Sequence, residues 1–193
     1  MAAVRSAGEV AGRDVLVMGT GVLGLIACAL LRERGAFRVI ACDLSPERRT
    51  VALSFGATDT CSPKELPKFV AQVTHGNGVD IGLDLSGSHK AVKQMIDLLA
   101  IGGVGVLVGS VFPSPTISLT PETVVRRLLT LRGVHNYTPT DLAEILRFLV
   151  VAQCAYPWNT LLADEYPLTA INEAITHAEC TPPLGRIFIR PDA

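Results

Sequence analysis

From residue 15 to residue 43 the chain runs through "VLVM", the turn "GTGVLG", a set of apolar residues at helical spacing, and a second apolar run, "FRVIAC", that stops on Asp43. A four-residue run with no polar member fits a strand buried on both faces of a parallel sheet. Val22, Leu25, Ile26, Ala29 and Leu30 then mark one face of a helix extending to Gly35. The uncharged stretch 15–31 is shorter than the roughly 20 residues of a membrane span, and its glycines fall where strand hands over to helix.

The same alternation continues. Ser45 and Pro46 form an N-cap and first-turn pair for a helix ending near Phe55, and "GATDTC" carries a short third strand. Pro63 opens a helix to about Thr74, "GNG" at 76–78 turns the chain into the strand "VDIGLDL", and Val92, Met95, Ile96 and Leu99 mark the next helix. "GGVGVLVGS" reads as a fifth strand. After a proline-rich crossing, a helix over about 122–129 leads into a sixth strand within "LTLRGVHN", and Leu142, Ile145, Leu146, Leu149 and Val150 repeat the helical spacing. The pattern predicts an α/β fold, a doubly wound Rossmann-type parallel sheet of about six strands over 14–155. From about Tyr156 a strand at 161–166, a helix carrying Ile171, Ala174, Ile175 and Ala178, and the strand "RIFIR" form a C-terminal return segment, 156–193, without a core of its own.

The chemistry lies in the first turn. In Gly19-Thr20-Gly21-Val22-Leu23-Gly24 the first glycine permits a tight turn, the second lets backbone approach a pyrophosphate, and the third lets helix and strand pack closely. The helix's amino end adds free N–H groups and the positive end of its dipole. Asp43, at the second strand's end, can accept both ribose hydroxyl hydrogen bonds and repel a 2′-phosphate, which favours NAD over NADP. Ligands of such sheets sit beyond the strands' carboxyl ends, which singles out Asp84, Ser86, Gly109, Ser110, His135 and Asn136 as cleft-lining residues. His135 is the most chemically capable of them, since imidazole titrates near neutrality; a catalytic role for it stands beside a structural or cofactor-packing one.

Composition narrows the partners. Seventeen Lys and Arg against 18 Asp and Glu leave a net charge of −1, with no summed field for nucleic acid or an anionic membrane. Cysteines 28, 42, 61, 154 and 180 form no C-x-x-C pair, which fits a reducing cytoplasm better than a disulfide framework. His75, His89, His135 and His177 are scattered, so no metal site is expected. The start, "MAAVRSAGEV", lacks the apolar core of a secretion signal.

At this level of detail the chain resembles the zinc-containing alcohol dehydrogenases of the medium-chain dehydrogenase/reductase superfamily. "GRDVLVMGTGVLGLIACALLRERGAFRVIACDLSPERRTVALSFGATD" is similar to that family's cofactor domain, "VDIGLDLSGS", "IGGVGVLVG" and "LRGVHNY" to its later strands, and "YPLTAINEAI…GRIFI" to its return segment. The wording "GVHNYTP" is nearest to dehydrogenases associated with phosphonate metabolism. The resemblance implies pyrophosphate contacts at Gly19, Gly21, Val22, Leu23, Gly24 and Arg186, adenosine-ribose contacts at Asp43 and Arg48, and a nicotinamide side formed by Val108, Gly109, Ser110, Val134, His135 and Asn136. Arg48 and Arg186 also read as ordinary surface residues.

The family's zinc ligands and "GHE" segment, which belong to a separate N-terminal domain, are not in this sequence, and residues 1–13 resemble the end of the helix joining the two domains. The expected function is therefore the NAD-binding part of an oxidoreductase that passes hydride between nicotinamide and an alcohol or carbonyl substrate of unknown identity, with little turnover by this chain alone. A separate chain bearing the catalytic domain is a possible partner. The alternative is a short Rossmann protein that binds a nucleotide or has been adapted to zinc-independent chemistry. A methyltransferase is disfavoured by Met18. The resemblance also implies a homodimer joined through an edge strand near 117–119.

Overall fold

The computed structural model describes residues 1–180 and 184–191. A short helix α1 (Ala2–Ala7) precedes β1 (Asp14–Met18), α2 (Val22–Glu33), β2 (Arg38–Cys42), α3 (Pro46–Ser54), β3 (Asp59–Cys61), α4 (Leu66–Val73), β4 (Val79–Asp84), α5 (His89–Leu98), β5 (Leu99–Leu107), α6 (Pro121–Arg126), β6 (Thr130–Gly133) and α7 (Pro139–Val151). The six strands form one parallel sheet in the order β3-β2-β1-β4-β5-β6. The chain thus reverses direction of travel between β1 and β4, the topological switch point where ligands of doubly wound sheets bind.

The two-residue period of a strand explains both layers. Val15, Val17, Val39, Ala41, Ile81 and Leu83 face α1, α2 and α3, where Val4, Leu25, Cys28, Leu31, Ala52 and Phe55 close one core. Leu16, Met18 and Ile40 face α4 and α5, where Leu66, Val70, Val92, Met95 and Ile96 close the other. Each such aliphatic side chain contributes about 1.5–3 kcal/mol on burial, so β1 and β2 have no solvent face to offer. The uncharged run 15–31 divides into β1 and α2, and no helix among the described residues is long and apolar enough to cross a membrane.

Several boundaries differ from the sequence reading. The fourth helix starts at Leu66 rather than Pro63, because residues 62–65 form a turn in which the Ser62 amide and hydroxyl donate to Glu65 Oε2 at 3.2 and 2.6 Å. β6 stops at Gly133, with Asn136 at φ 61°. Residues 117–119 pair with no strand of this chain, and Ile117 and Leu119 pack on the second core. α7 begins with a capping box, in which Thr138 and Asp141 each accept from the other's backbone N–H. Arg5 reaches Asp141 (3.3 Å) and Glu144 (2.8 Å), tying α1 to α7.

The return segment consists of β7 (Leu162–Pro167), α8 (Ile171–Cys180) and β8 (Arg186–Arg190), with β7 and β8 paired in parallel. Its entry is anchored: Tyr156 and Trp158 pack on the first core around Phe55, the Tyr156 hydroxyl donates to Glu33 Oε1 (2.8 Å), and Trp158 Nε1 donates to the Ala152 carbonyl (2.9 Å). Desolvation and the neighbouring Glu33 carboxylate push the Tyr156 phenol up to about 12.

Candidate functional site: the cleft at the strands' carboxyl ends

The glycine turn is spliced into the sheet on both sides. Gly19 N–H donates to the Cys42 carbonyl and Leu85 N–H to the Met18 carbonyl, each at 2.8 Å, so the turn hangs from the ends of β1, β2 and β4. The three glycines have three different reasons to be there. Gly19 has φ 91°, and an added Cβ would lie 2.9 Å from the Ser86 backbone; at Gly24 it would lie 2.0 Å from the Gly19 carbonyl oxygen. Both are requirements of folding. At Gly21, whose φ of −67° suits any residue, an added Cβ would meet only Arg48 Nη1 at 3.7 Å. The absence of a side chain there keeps space open in front of the α2 amino terminus, which no side chain caps.

Two large cavities flank this turn. One, of about 550 Å³, is lined by Gly19, Gly21, Asp43, Arg48 and Ser86, together with Cys42, Lys90 and Gln94. The other, of about 580 Å³, is lined by Leu23, Val108, Gly109, Val134, His135 and Asn136, with residues 1–4 of the amino terminus as an apolar wall. Leu85 borders both. A smaller hollow of about 310 Å³ joins Gly21, Val22 and Arg48 to Arg186 of the return segment, two guanidinium groups beside a helix amino terminus. Of the candidate residues, Gly24 is buried inside the turn, and Ser110 turns its hydroxyl toward Asp84 Oδ2 at 3.3 Å.

Asp43 and Asp84 do more structural work than the sequence reveals. Asp43 Oδ2 accepts from the Thr20 amide (2.7 Å) and hydroxyl (3.0 Å), while Oδ1 accepts from the Ser45 amide (3.0 Å). A carboxylate has about four acceptor directions, three of which these bonds use, and Asp43 also lines the adjoining cavity. These bonds give Asp43 a role beyond the expected ribose contact: it clamps the buried Thr20, hence the glycine turn, to the end of β2. Asp84, expected to line the cleft, is fully buried beneath it and accepts from the Ser86 amide (3.1 Å) and hydroxyl (2.7 Å), bracing the loops after β4 and β5. Asp80, at the other end of β4, accepts from the Asp14 amide at 2.9 Å and is structural.

Sequence reasoning missed Thr20, Leu85, Lys90, Gln94 and the amino-terminal wall. Thr20 alone carried a signal, its place inside the glycine motif; the others reach the cleft only through tertiary folding. His135 is exposed at the rim of the second cavity. Among the described residues, no group of three or more His, Cys, Asp or Glu side chains converges to hold a metal ion. A catalytic zinc requires three protein ligands and an open position, and these residues do not fit one.

The strand order, the glycine turn at the switch point and the paired cavities define the class: a Rossmann fold with the geometry of a dinucleotide cradle. The zinc-binding dehydrogenase family model matches residues 22–151, and the chain belongs to that family. The L-threonine 3-dehydrogenase of Caldanaerobacter subterraneus subsp. tengcongensis is 28% identical over 189 residues, covering 95% of this chain and 53% of that protein. The enzyme of the same name from Pyrococcus furiosus is 35% identical over 130 residues, 66% of this chain and 37% of the relative. Among solved structures, an alcohol dehydrogenase from Thermotoga maritima superposes with a TM-score of 0.88 at 25% identity, covering 95% of this chain and 51% of that one. An alcohol dehydrogenase zinc-binding domain protein from Burkholderia ambifaria gives 0.86 at 27%, covering 100% and 52%. The chain thus spans about half the length of these proteins, or less.

Proposed function

We propose that this chain is the NAD-binding part of an alcohol-dehydrogenase-like oxidoreductase. The observation that carries the reading is Gly21, the one glycine of the turn that the fold itself does not require, placed where the cleft, the α2 amino terminus and Arg186 converge. In this reading the pyrophosphate lies against α2 at Gly21–Gly24 with Arg48 and Arg186 beside it, and the adenosine half fills the cavity beside Asp43. The nicotinamide half enters the cavity between Val108, Gly109, Ser110 and Val134, His135, Asn136. Bound NAD supplies the hydride chemistry; this chain's residues bind and orient it, and the walls at Val108 and Val134 exclude water. His135 faces the substrate side. Catalytic groups and substrate recognition come from the part of the longer relatives that this chain does not span. The units 1–13, 14–155 and 156–193 act as inter-domain connector, cofactor domain and return segment. The protein works in the cytoplasm on a small alcohol or carbonyl compound, and "GVHNYTP" supports kinship with phosphonate-associated members.

Calorimetric titration with each cofactor tests the assignment. NAD is expected to bind more tightly than NADP, because the Asp43 carboxylate stands where a 2′-phosphate would sit. Asp43→Ala is expected to narrow that preference and, by releasing Thr20, to weaken both cofactors. Equal affinities in the native protein would remove Asp43 from the ribose site.

We also propose a homodimer. Val111, Phe112, Tyr137, Val150 and Val151 are exposed, and exposed apolar side chains of this kind supply the surface that association covers. Light scattering at low micromolar concentration is expected to give twice the 20.5 kDa chain mass; a monomer there overturns the proposal.

A further inference from the structure

β2 and β3 end side by side on a pair of thiols. Cys42 and Cys61 are the last paired residues of the two parallel strands and lie in the same buried cluster, so both side chains project from one face of the sheet. Neighbouring strands run about 4.8 Å apart. That spacing lies inside the Cα separations of roughly 4.4–6.8 Å that a disulfide bridges. Being at the end of the ladder, the pair can draw together without disturbing a strand interior. Cys42 borders the adenosine-side cavity, and Cys61 borders a separate hollow of about 580 Å³ with Ser62, Lys64 and Lys68, which gives a small oxidant its own approach. Cys28, by contrast, is enclosed on all sides, and burial pushes its thiol up to about 12.

We propose that Cys42 and Cys61 form an oxidisable dithiol, closed to a disulfide by hydrogen peroxide, and that closure opposes dinucleotide binding; the second clause rests on the cofactor reading above. The neighbouring Cys42 holds the Cys61 thiol below its ordinary value against the cost of burial, while Cys61 and burial hold the Cys42 thiol above its own, so Cys61 is the readier nucleophile of the pair. The Cys61 thiolate attacks one peroxide oxygen, the O–O bond breaks, and the departing hydroxide takes up a proton, leaving Cys61 sulfenic acid and water. The Cys42 sulfur then attacks the Cys61 sulfur, the S–O bond breaks, and the departing hydroxide leaves as water with the Cys42 proton. Two thiols lose two electrons and two protons, and one peroxide becomes two waters.

The coupling to the cleft follows from sequence adjacency and two hydrogen bonds. The Cys42 carbonyl accepts from Gly19 N–H, and the next residue, Asp43, accepts from Thr20. Drawing Cys42 toward β3 moves both anchors of the glycine turn. By linkage, a dinucleotide that binds the dithiol form better must resist closure by the same factor. The test uses the full chain with Cys154→Ser and Cys180→Ser, which removes the exposed thiols. Peroxide is expected to produce a two-proton mass loss and a bond joining the tryptic peptides that carry Cys42 and Cys61. Cys42→Ala or Cys61→Ser alone, introduced into the same background, should abolish that bond. NAD affinity by calorimetry is expected to fall about tenfold on oxidation and return with dithiothreitol. Free thiols surviving at Cys42 and Cys61, or over-oxidation of Cys61 without a bond, overturns the dithiol. A bond that leaves NAD affinity unchanged overturns the coupling. Failure of the reduced protein to bind NAD counts against the cofactor reading while the mass result stands on its own.

Discussion

Gly21→Ala is expected to weaken NAD binding at least tenfold, about 1.4 kcal/mol, while leaving the thermal midpoint unchanged. The added methyl group meets no protein atom closer than 3.7 Å and the backbone is in an ordinary region, and the capping loss of Ala against Gly at this N-cap position is offset by the freedom the substitution removes from the unfolded chain. What it fills, in the proposed reading, is the space through which a pyrophosphate would approach the uncapped amides of α2. Gly24→Ala supplies the contrast. There the methyl carbon would lie 2.0 Å from the Gly19 carbonyl oxygen, the turn and helix must separate, and overpacking of this kind costs about 1–3 kcal/mol or more. Circular dichroism melts and calorimetry on the two variants should therefore dissociate: binding lost without stability at position 21, stability lost with binding at position 24. Native affinity in Gly21→Ala would show that no phosphate lies on the turn.

Phe55→Ala is expected to remove about 3–5 kcal/mol from a total that for a domain is about 5–15 kcal/mol. Phe55 is fully buried, stacks on Tyr156 with ring centroids 6.1 Å apart, and meets the edge of Trp158 at 5.5 Å. It joins α3 to the segment that launches β7, so its loss opens a cavity at the seam between sheet and return segment. Trp158 is the only tryptophan in the chain and sits in this cluster, so its emission reports the seam directly. In urea, the variant's emission should shift at a markedly lower midpoint, with Phe55→Leu falling between it and the native chain. A midpoint unchanged in Phe55→Ala would mean that the return segment closes over the gap. The same placement makes Trp158 a poor reporter of ligand in the cleft, since its ring lies among Phe55, Phe148 and Tyr156.

What could be read in the sequence was whatever local chemistry decides. β1, α2, β2 and β4 were legible because burial on two faces leaves uninterrupted apolar runs and because glycine, proline and serine punctuate them. The wrong boundaries arose where a side chain competes with the backbone: Ser62 and Glu65 close a turn that displaces the start of α4, and Asn136 takes a left-handed conformation just beyond the end of β6. Thr138 and Asp141, three residues apart ahead of an apolar run, have the spacing of a capping box, a local signal the sequence reading passed over. Thr20 on Asp43 leaves no such signal, since 23 positions separate them and only the pairing of β1 with β2 brings them together. Arg186 reaches the glycine turn only through the fold of the return segment.

Leu85 gives the cleft an arithmetic of its own. Because Leu85 borders both cavities that flank the glycine turn, a ligand with two heads and a short bridge would, in the proposed reading, seat one head on each side, where a mononucleotide would fill a single lobe. For the tethered ligand the second contact is made at an effective concentration in the millimolar range, set by the bridge rather than by the solution. Two separate halves at equal dose do not share that advantage. If the cleft holds a dinucleotide as proposed, the partition acts as a ruler: it selects for the distance between a ligand's ends as much as for the ends themselves, and a bridge that is too short loses one lobe altogether.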